Sequence, residues 1–197
     1  MSLPPEDSWS GLSATDKRAR VLAVAGELFG REGVSFPMPE LAKALGIGVG
    51  SLYRQFGTKD DVLAALVVER LDRFEAQFTA AAGTDDPAAA LMRVISQTFH
   101  LTIQDRIAKI AFELALDRPE VAESRARTVA ALQRLVDEAK AVGAVRDDAD
   151  AIDLRIMFRL AREAERIAPG GGARLVQLVV DGLRNPGPTL EESFTAP

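Results

Sequence analysis

Apolar residues return every three or four positions along most of the 197-residue chain. This period is that of an amphipathic helix with one buried face, whereas a half-buried strand would alternate at every second position. We find no alternating run and no internal repeat. The pattern therefore predicts an all-α protein of about nine helices. The predicted helices span residues 13–32, 40–45, 48–56, 58–81, 87–104, 105–117, 119–142, 150–167 and 174–183.

Capping signals locate several of these helix ends. Ser13 and Asp16 have the spacing of a capping box, and so do Thr58 and Asp61. Gly46 follows the second helix, where a left-handed C-terminal cap favours glycine. We therefore expect a flexible tail, a first helical domain, a second helical domain and another tail, at residues 1–12, 13–59, 60–185 and 186–197.

Residues 37–56 contain two short helices joined at a glycine, and they are the most informative stretch. Leu52 and Phe56 lie four positions apart and would hold the second helix from its inner side. This layout predicts a helix-turn-helix, whose second helix lies in the major groove of DNA. The expected scaffold positions are Leu41, Ala42, Leu45, Gly46, Ile47, Leu52 and Phe56.

The opposite side of the second short helix is expected to be exposed. Gly48 and Gly50 would let its backbone approach DNA closely, and backbone N–H groups at a helix N-terminus favour phosphate. The outward-facing side chains are predicted to be those of Val49, Ser51, Tyr53, Arg54 and Gln55.

The formal net charge of −5 at first argues against a nucleic-acid partner. The acidity is unevenly distributed, however. Residues 1–59 hold seven basic and six acidic residues, whereas the remainder holds 17 basic and 23 acidic residues. The first domain is therefore slightly basic, which permits DNA binding there.

Composition argues against several other classes of protein. The chain has no cysteine and one histidine, so neither a metal cluster nor a catalytic triad can be assembled, and we expect no catalysis, metal or cofactor. No apolar stretch reaches the roughly 18 residues of a membrane span. The acidic N-terminus does not resemble a signal peptide, and we expect a cytoplasmic protein.

The stretch from Arg20 to Lys59 resembles the signature of TetR-family transcriptional regulators. The resemblance implies an all-helical homodimer that binds a palindromic operator in double-stranded DNA, usually as a repressor released by a small-molecule effector. The rest of the chain is similar to the family in helix count and layout. The matching positions are Arg20, Leu28, Phe29, Gly33, Leu41, Ala42, Leu45, Gly46, Ile47, Gly50, Ser51, Leu52, Tyr53, Phe56 and Lys59.

The resemblance also implies roles for individual residues. Ser51 and the hydroxyl of Tyr53 would contact phosphate, and Lys59 would clamp the DNA backbone. Gln55 stands where histidine is commonest in the family. The whole predicted DNA-binding set is Pro37, Gly48, Val49, Gly50, Ser51, Tyr53, Arg54, Gln55 and Lys59.

Two features depart from the family pattern. Pro37 occupies a position where a threonine or serine usually caps the helix and contacts phosphate. Val49 and Gly50 offer no hydrogen-bonding side chain to base edges, so Arg54 or thymine methyl contacts would have to supply direct readout. Pro37 and the acidic balance support the alternative of an all-helical interaction protein that has lost DNA binding.

The second domain is expected to bind the effector and to form the dimer. Its candidate pocket residues could equally belong to the core. In the resembling family, the last two long helices form a four-helix bundle between subunits. The candidate pocket residues are Met92, Phe99, His100, Phe112, Leu116 and Phe158, and the apolar stripes are Ile152, Ile156, Leu160 and Ala164, then Leu175, Leu178, Val179 and Leu183.

Overall fold

The computed structural model describes residues 9–33, 36–104 and 118–184. Within these ranges the regular structure is eight α-helices and one short 3-10 helix, Trp9–Gly11, with no strand, which confirms the predicted all-α fold. The predicted helix at 105–117 lies outside the described residues, as do 1–8 and 185–197. The helices are α1 (Ala14–Glu32), α2 (Met38–Leu45), α3 (Val49–Phe56), α4 (Lys59–Ala81), α5 (Pro87–Gln104), α6 (Pro119–Ala141), α7 (Ala151–Ile167) and α8 (Gly171–Arg184).

Helices α1 to α3 pack with the first half of α4 around an apolar cluster that we call the first core. The Phe29 ring meets Phe36 edge-on, with ring centroids 4.9 Å apart. Trp9 of the 3-10 helix packs against the same cluster, so core contacts begin before Ser13. The buried members of the first core run from Val21 to Leu71, and Val121 joins them from α6.

Helix α4 continues into a separate apolar cluster, which we call the second core. Phe74 and Phe78 are buried on its second half, and their rings stack with centroids 6.0 Å apart. Helices α5 to α8 enclose the rest of this cluster. Its fully buried members include Leu91, Ile95, Leu135, Leu154 and Phe158.

Polar contacts join α4 and α6 along their length. Ser124 Oγ donates a hydrogen bond to Asp72 at 2.7 Å. Arg127 forms ion pairs with Asp72 at 2.8 Å and with Glu75 at 3.0 Å. Exposed pairs of this kind contribute little stability individually, but together they set the register of α6 along α4.

The predicted caps are confirmed where the side chain can reach the backbone. The N–H of Asp16 donates to Ser13 Oγ at 3.1 Å, so Ser13 caps α1. Thr58 and Asp61 form a complete capping box on α4. Gly46 ends α2 in the left-handed conformation, with φ 68° and ψ 29°.

Helix α2 begins two residues earlier than predicted, at Met38 rather than Glu40. Met38 is buried in the first core, and Pro39 stands in the first turn, where the N–H that proline lacks has no helical partner. The proline therefore does not delay the helix.

Helix α8 begins at Gly171, three residues before the predicted start at Arg174. The carboxylate of Glu165 on α7 accepts hydrogen bonds from the N–H groups of Gly170 at 2.9 Å and Gly172 at 3.0 Å. It caps α8 from the last turn of the preceding helix. None of the described helices is long and apolar enough to cross a membrane.

Candidate nucleic-acid interface

The turn between α2 and α3 is a compact glycine cap. The N–H of Gly46 donates to the carbonyl of Lys43 at 3.1 Å, and that of Ile47 to the carbonyl of Ala42 at 3.0 Å. Ile47 packs against the first core from the turn. The predicted scaffold is therefore present in full: Leu41, Ala42, Leu45, Leu52 and Phe56 are all buried.

The outer face of α3 presents polar side chains next to small ones. Val49 is 37% exposed and Tyr53 47%, and the two residues lie one turn apart on the same side of α3. Arg54 and Gln55 are also exposed, while Ser51 is half-buried. Arg54 Nη2 donates to Ser51 Oγ at 3.0 Å, so the guanidinium lies across the first turn of the helix.

Neither α2 nor α3 has a side-chain cap at its N-terminus. Pro37 and Gly48 occupy the N-cap positions, and neither has a side chain that hydrogen-bonds to the helix. Their backbone carbonyls accept from the N–H groups of Glu40 at 3.0 Å and Ser51 at 2.9 Å. In contrast, Ser13, Thr58 and Asp150 cap their helices with side-chain oxygens. The N–H groups of Met38 in α2 and of Val49 and Gly50 in α3 therefore remain available to an external acceptor.

Gly48 and Gly50 are not required by packing within the chain. A Cβ placed on Gly48 would come no closer than 4.0 Å to the nearest side-chain atom, Ser51 Oγ. A Cβ on Gly50 would come no closer than 3.9 Å, to Arg54 Nη1. Both positions are exposed, so the space that the missing methyl groups leave is open to an approaching molecule.

Lys59 is the half-buried first residue of α4, directly after the capping residue Thr58. The carboxylate of Asp61 accepts from the N–H of Thr58 at 2.6 Å and from its hydroxyl at 2.7 Å. A positive charge at this end opposes the helix dipole. Helix stability therefore does not explain a lysine at this position.

Arg118, at the N-cap of α6, forms an ion pair with Asp61 at 2.6 Å. The hydrogen bonds from Thr58 and the contact with Arg118 together lower the pKa of Asp61 from 3.8 to about 2. Asp61 is therefore ionised at any physiological pH, and the start of α4 is held to α6. Arg118 was not among the predicted site residues, because no local pattern connects it to a residue so distant in sequence.

The candidate pocket residues fall into two places. Met92, Phe99 and His100 line an open groove between α5 and α8, where Phe99 is nearly buried and His100 is exposed. Phe158 is fully buried and does not line this groove. Phe112 and Leu116 lie outside the described residues.

Phe158 instead belongs to a narrow cavity between α4, α6 and α7, which we call the α4–α6–α7 cavity. Its walls are apolar except for Thr128 and two half-buried arginines. The lining residues are Leu71, Phe78, Arg125, Thr128, Val129, Leu132, Arg155 and Phe158. In the described parts of the chain, no group of three or more acidic or histidine residues could hold a metal ion.

Helices α7 and α8 expose part of the apolar stripes predicted for the dimer. Ile156 and Leu160 are each 52% exposed, and Leu178 is 64% exposed. Leu183 differs from these residues, because it is buried in the second core of the same protomer. The outward apolar face, which we call the α7–α8 face, consists of Ile152, Ile156, Leu160 and Leu178.

Two family models match the chain. A model described as bacterial regulatory proteins, tetR family, matches residues 21–66, which contain α2 and α3. A model described as the C-terminal domain of SbtR-like transcriptional regulators matches residues 86–185, about half of the chain. Together these matches confirm the resemblance that the sequence motif indicated.

Individual relatives give the same picture. The HTH-type transcriptional regulator SAB2452 of Staphylococcus aureus is 41% identical over 66 residues, which are 33% of this chain and 36% of that protein. The match thus spans about a third of the length of this curated relative.

Solved structures resemble the whole fold. A TetR regulatory protein from Mycobacterium vanbaalenii is 28% identical with a TM-score of 0.61, over 87% of this chain and 97% of that one. The regulator SCO0520 from Streptomyces coelicolor is 25% identical with a TM-score of 0.62, over 86% and 99%.

Proposed function

The chain belongs to the TetR family of bacterial regulatory proteins, and on that premise we propose that it is a transcriptional regulator. It binds a palindromic operator in double-stranded DNA as a homodimer, and a small molecule in its second domain releases it. The observation that carries the proposal is the outer face of α3. On this face, polar side chains surround Gly48 and Gly50, and no side chain caps the N-terminus of the helix.

Each part of this face suits one kind of DNA contact. The hydroxyls of Ser51 and Tyr53 and the ammonium of Lys59 would bind phosphates, which position the protein without reading sequence. The free N–H groups of α3 would add a further phosphate contact. Arg54 is the one long basic side chain on α3, and a guanidinium can bind guanine through two hydrogen bonds. The face therefore anchors strongly and reads few bases.

A dimer would compensate for that limited readout. The α7–α8 face exposes four large aliphatic side chains on an isolated protomer, and burying them against a second copy would be favourable. Two-fold symmetry would then present two copies of α3 to half-sites about 34–36 Å apart, or a multiple of that distance.

The second domain is connected to the interface through α4. Lys59 stands at one end of this helix, and Phe78 lies in the second core towards the other. The ion pair between Asp61 and Arg118 ties the start of α4 to α6. A ligand that prefers a different position of α4 would therefore change the spacing of the two α3 helices and lower DNA affinity.

The test begins with selection of bound duplexes from a random pool. The selected sequence should be palindromic and should bind two protomers. Its affinity should fall steeply with added salt, because phosphate contacts release counterions. Undetectable or salt-independent binding would instead support an interaction protein that has lost DNA binding.

Point variants then test the phosphate contacts. Lys59→Ala should weaken binding to every duplex and reduce the slope of log affinity against log salt by about one. Tyr53→Phe should cost about 1 kcal/mol, the value of one hydrogen bond. Arg93→Ala, which removes an exposed charge from α5, serves as the control and should leave the slope unchanged. If the Lys59 and Tyr53 variants bind as tightly as the wild type, the assignment is wrong.

A further inference from the structure

We propose that Arg118 is a positioning residue for DNA binding: its guanidinium holds the carboxylate of Asp61 and, through it, the turn of α4 that carries Lys59. The inference rests on the proposed function, because it assigns a role in the phosphate contact of Lys59. It also places the first turn of α6, which the sequence assigned to the second domain, in the structural unit that binds DNA.

The two carboxylate oxygens of Asp61 have different partners. Oδ2 accepts from the N–H of Thr58 at 2.6 Å and from its hydroxyl at 2.7 Å, and these bonds belong to the capping box of α4. Oδ1 pairs with Nη1 of Arg118 at 2.6 Å. Lys59 lies inside this capping box, directly after Thr58. Arg118 therefore joins the turn that carries Lys59 to α6.

The first turn of α6 is itself anchored by packing. Val121 is completely buried in the first core, and among the described residues it is the only residue of α6 in that cluster. Its N–H donates to the carbonyl of Arg118 at 3.1 Å, so the buried residue and the arginine share one helical turn. A displacement of this turn would therefore move Arg118, and Asp61 with it.

Helix stability explains neither end of the ion pair. A positive charge at the N-cap opposes the dipole of α6, and Arg118 provides no side-chain cap. A capping box does not need an arginine either. Asp150 and Asp153 form a complete one on α7, and within the described parts of the chain Asp153 has no ion pair. The contact between Arg118 and Asp61 therefore serves the position of α4 relative to α6.

Arg127 joins the same two helices further along α4 and provides a comparison. Its side chain and that of Asp72 are 49% and 47% exposed, whereas those of Arg118 and Asp61 are 32% and 35% exposed. Water and salt weaken a shielded ion pair less than an exposed one. Arg118, unlike Arg127, contacts the end of α4 that carries Lys59.

The test is a double-mutant cycle between Arg118 and Lys59, measured as affinity for the selected duplex. Arg118→Gln should weaken binding at least about fivefold, because a displaced Lys59 loses its phosphate contact. In the Lys59→Ala background, the same substitution should weaken binding by less than about twofold. If Arg118→Gln costs the same factor in both backgrounds, Arg118 does not act through Lys59 and the inference is wrong.

Two further variants test whether the effect depends on the charge and on its place. Arg118→Lys keeps a cation, and because the contact with Asp61 uses the single donor Nη1, the lysine should recover most of the affinity that glutamine loses. Arg127→Gln removes an arginine between the same helices and should change the affinity by less than about twofold. Equal losses in the two glutamine variants, or a lysine variant as weak as Arg118→Gln, would overturn the assignment.

Hydrogen exchange on the free protein separates this inference from the proposed function. Without DNA, the amides of residues 58–61 should exchange at least about threefold faster in Arg118→Gln than in the wild type, after correction for global stability, and at the wild-type rate in Arg127→Gln. Unchanged exchange in Arg118→Gln would contradict the positioning role whatever DNA binding shows. If exchange rises as expected but the wild type binds no duplex, the hold of Arg118 on α4 stands and the proposed function fails.

Discussion

The first and second cores differ in how far apart along the sequence their buried residues lie. Apart from Val121, the buried residues of the first core lie between Val21 and Leu71, whereas those of the second run from Phe74 to Leu183. In the first core, the site is one face of the eight-residue helix α3, and helical periodicity alone orients its side chains. In the second core, the cavity depends on how α4, α6 and α7 are rotated against one another. This difference explains why the outer face of α3 could be predicted from the sequence, whereas the lining of the cavity in the second core could not.

Helix α4 is the element that the two cores share. Val62 and Val67 are buried in the first core, and Phe74 and Phe78 in the second. Under the proposed function, a displacement of this helix in one cluster would be transmitted to the other. The two regions therefore differ in construction but share one continuous helix.

The largest expected effects come from equivalent truncations in the two cores. Leu52 and Leu135 are both completely buried, one in each core. Replacing either with alanine should lower the free energy of unfolding by about 2–5 kcal/mol, because a cavity remains. Denaturation in urea measures the loss. Leu52→Ala should also weaken DNA binding by molecules that remain folded, since Leu52 anchors α3.

Leu135→Ala provides the contrast, because its affinity for the selected duplex, corrected for the folded fraction, should match the wild type. If both variants lose the same amount of corrected DNA affinity, the effect of Leu52→Ala on DNA binding is not specific to the first core.

A smaller effect is expected at the junction between α3 and α4. Gly57 has φ 74° and ψ −128°, a conformation that side chains rarely adopt, and a Cβ there would lie 2.4 Å from Asp61 Oδ2. Gly57→Ala should therefore cost about 1–3 kcal/mol of stability. It should also displace Asp61 from its capping box, which moves the start of α4 and Lys59.

Thermal unfolding and DNA binding together check this prediction. Gly33→Ala also places alanine at a positive φ, but nothing lies within 4 Å of its Cβ. It should destabilise the protein less and spare DNA affinity. A Gly57 variant as stable as the wild type would contradict the proposed strain.

Much of the first domain was predictable because its signals are local. Capping boxes at Ser13 and Thr58, the glycine turn at Gly46 and the spacing of Leu52 and Phe56 each involve residues within one or two helical turns. The structure agrees with all of these. The roles of Tyr53 and Lys59 in binding remain predictions, because they concern DNA.

The second domain was less predictable because its signals are not local. Phe158 was predicted only as a pocket or core residue, and its separation from Met92 and His100 depends on the relative rotation of α5 and α7. Arg125 and Arg155 are 30 positions apart, and only tertiary packing brings them to one cavity.

The smallest expected effect tests whether Gly50 is needed for DNA binding rather than for folding. Gly50 lies in α3 with open space around its Cβ position, so Gly50→Ala should stabilise the protein by up to about 1 kcal/mol through helix propensity. If the backbone approaches DNA at this point, the added methyl group should nevertheless weaken binding. Gly30→Ala is the matched control, because Gly30 lies in α1 and is equally unobstructed. The Gly30→Ala variant should be stabilised to a similar extent, and its DNA affinity should not change. We therefore expect protein stability to rise while DNA affinity falls only in the Gly50→Ala variant. If its DNA affinity is unchanged, DNA binding does not require a glycine on the outer face of α3.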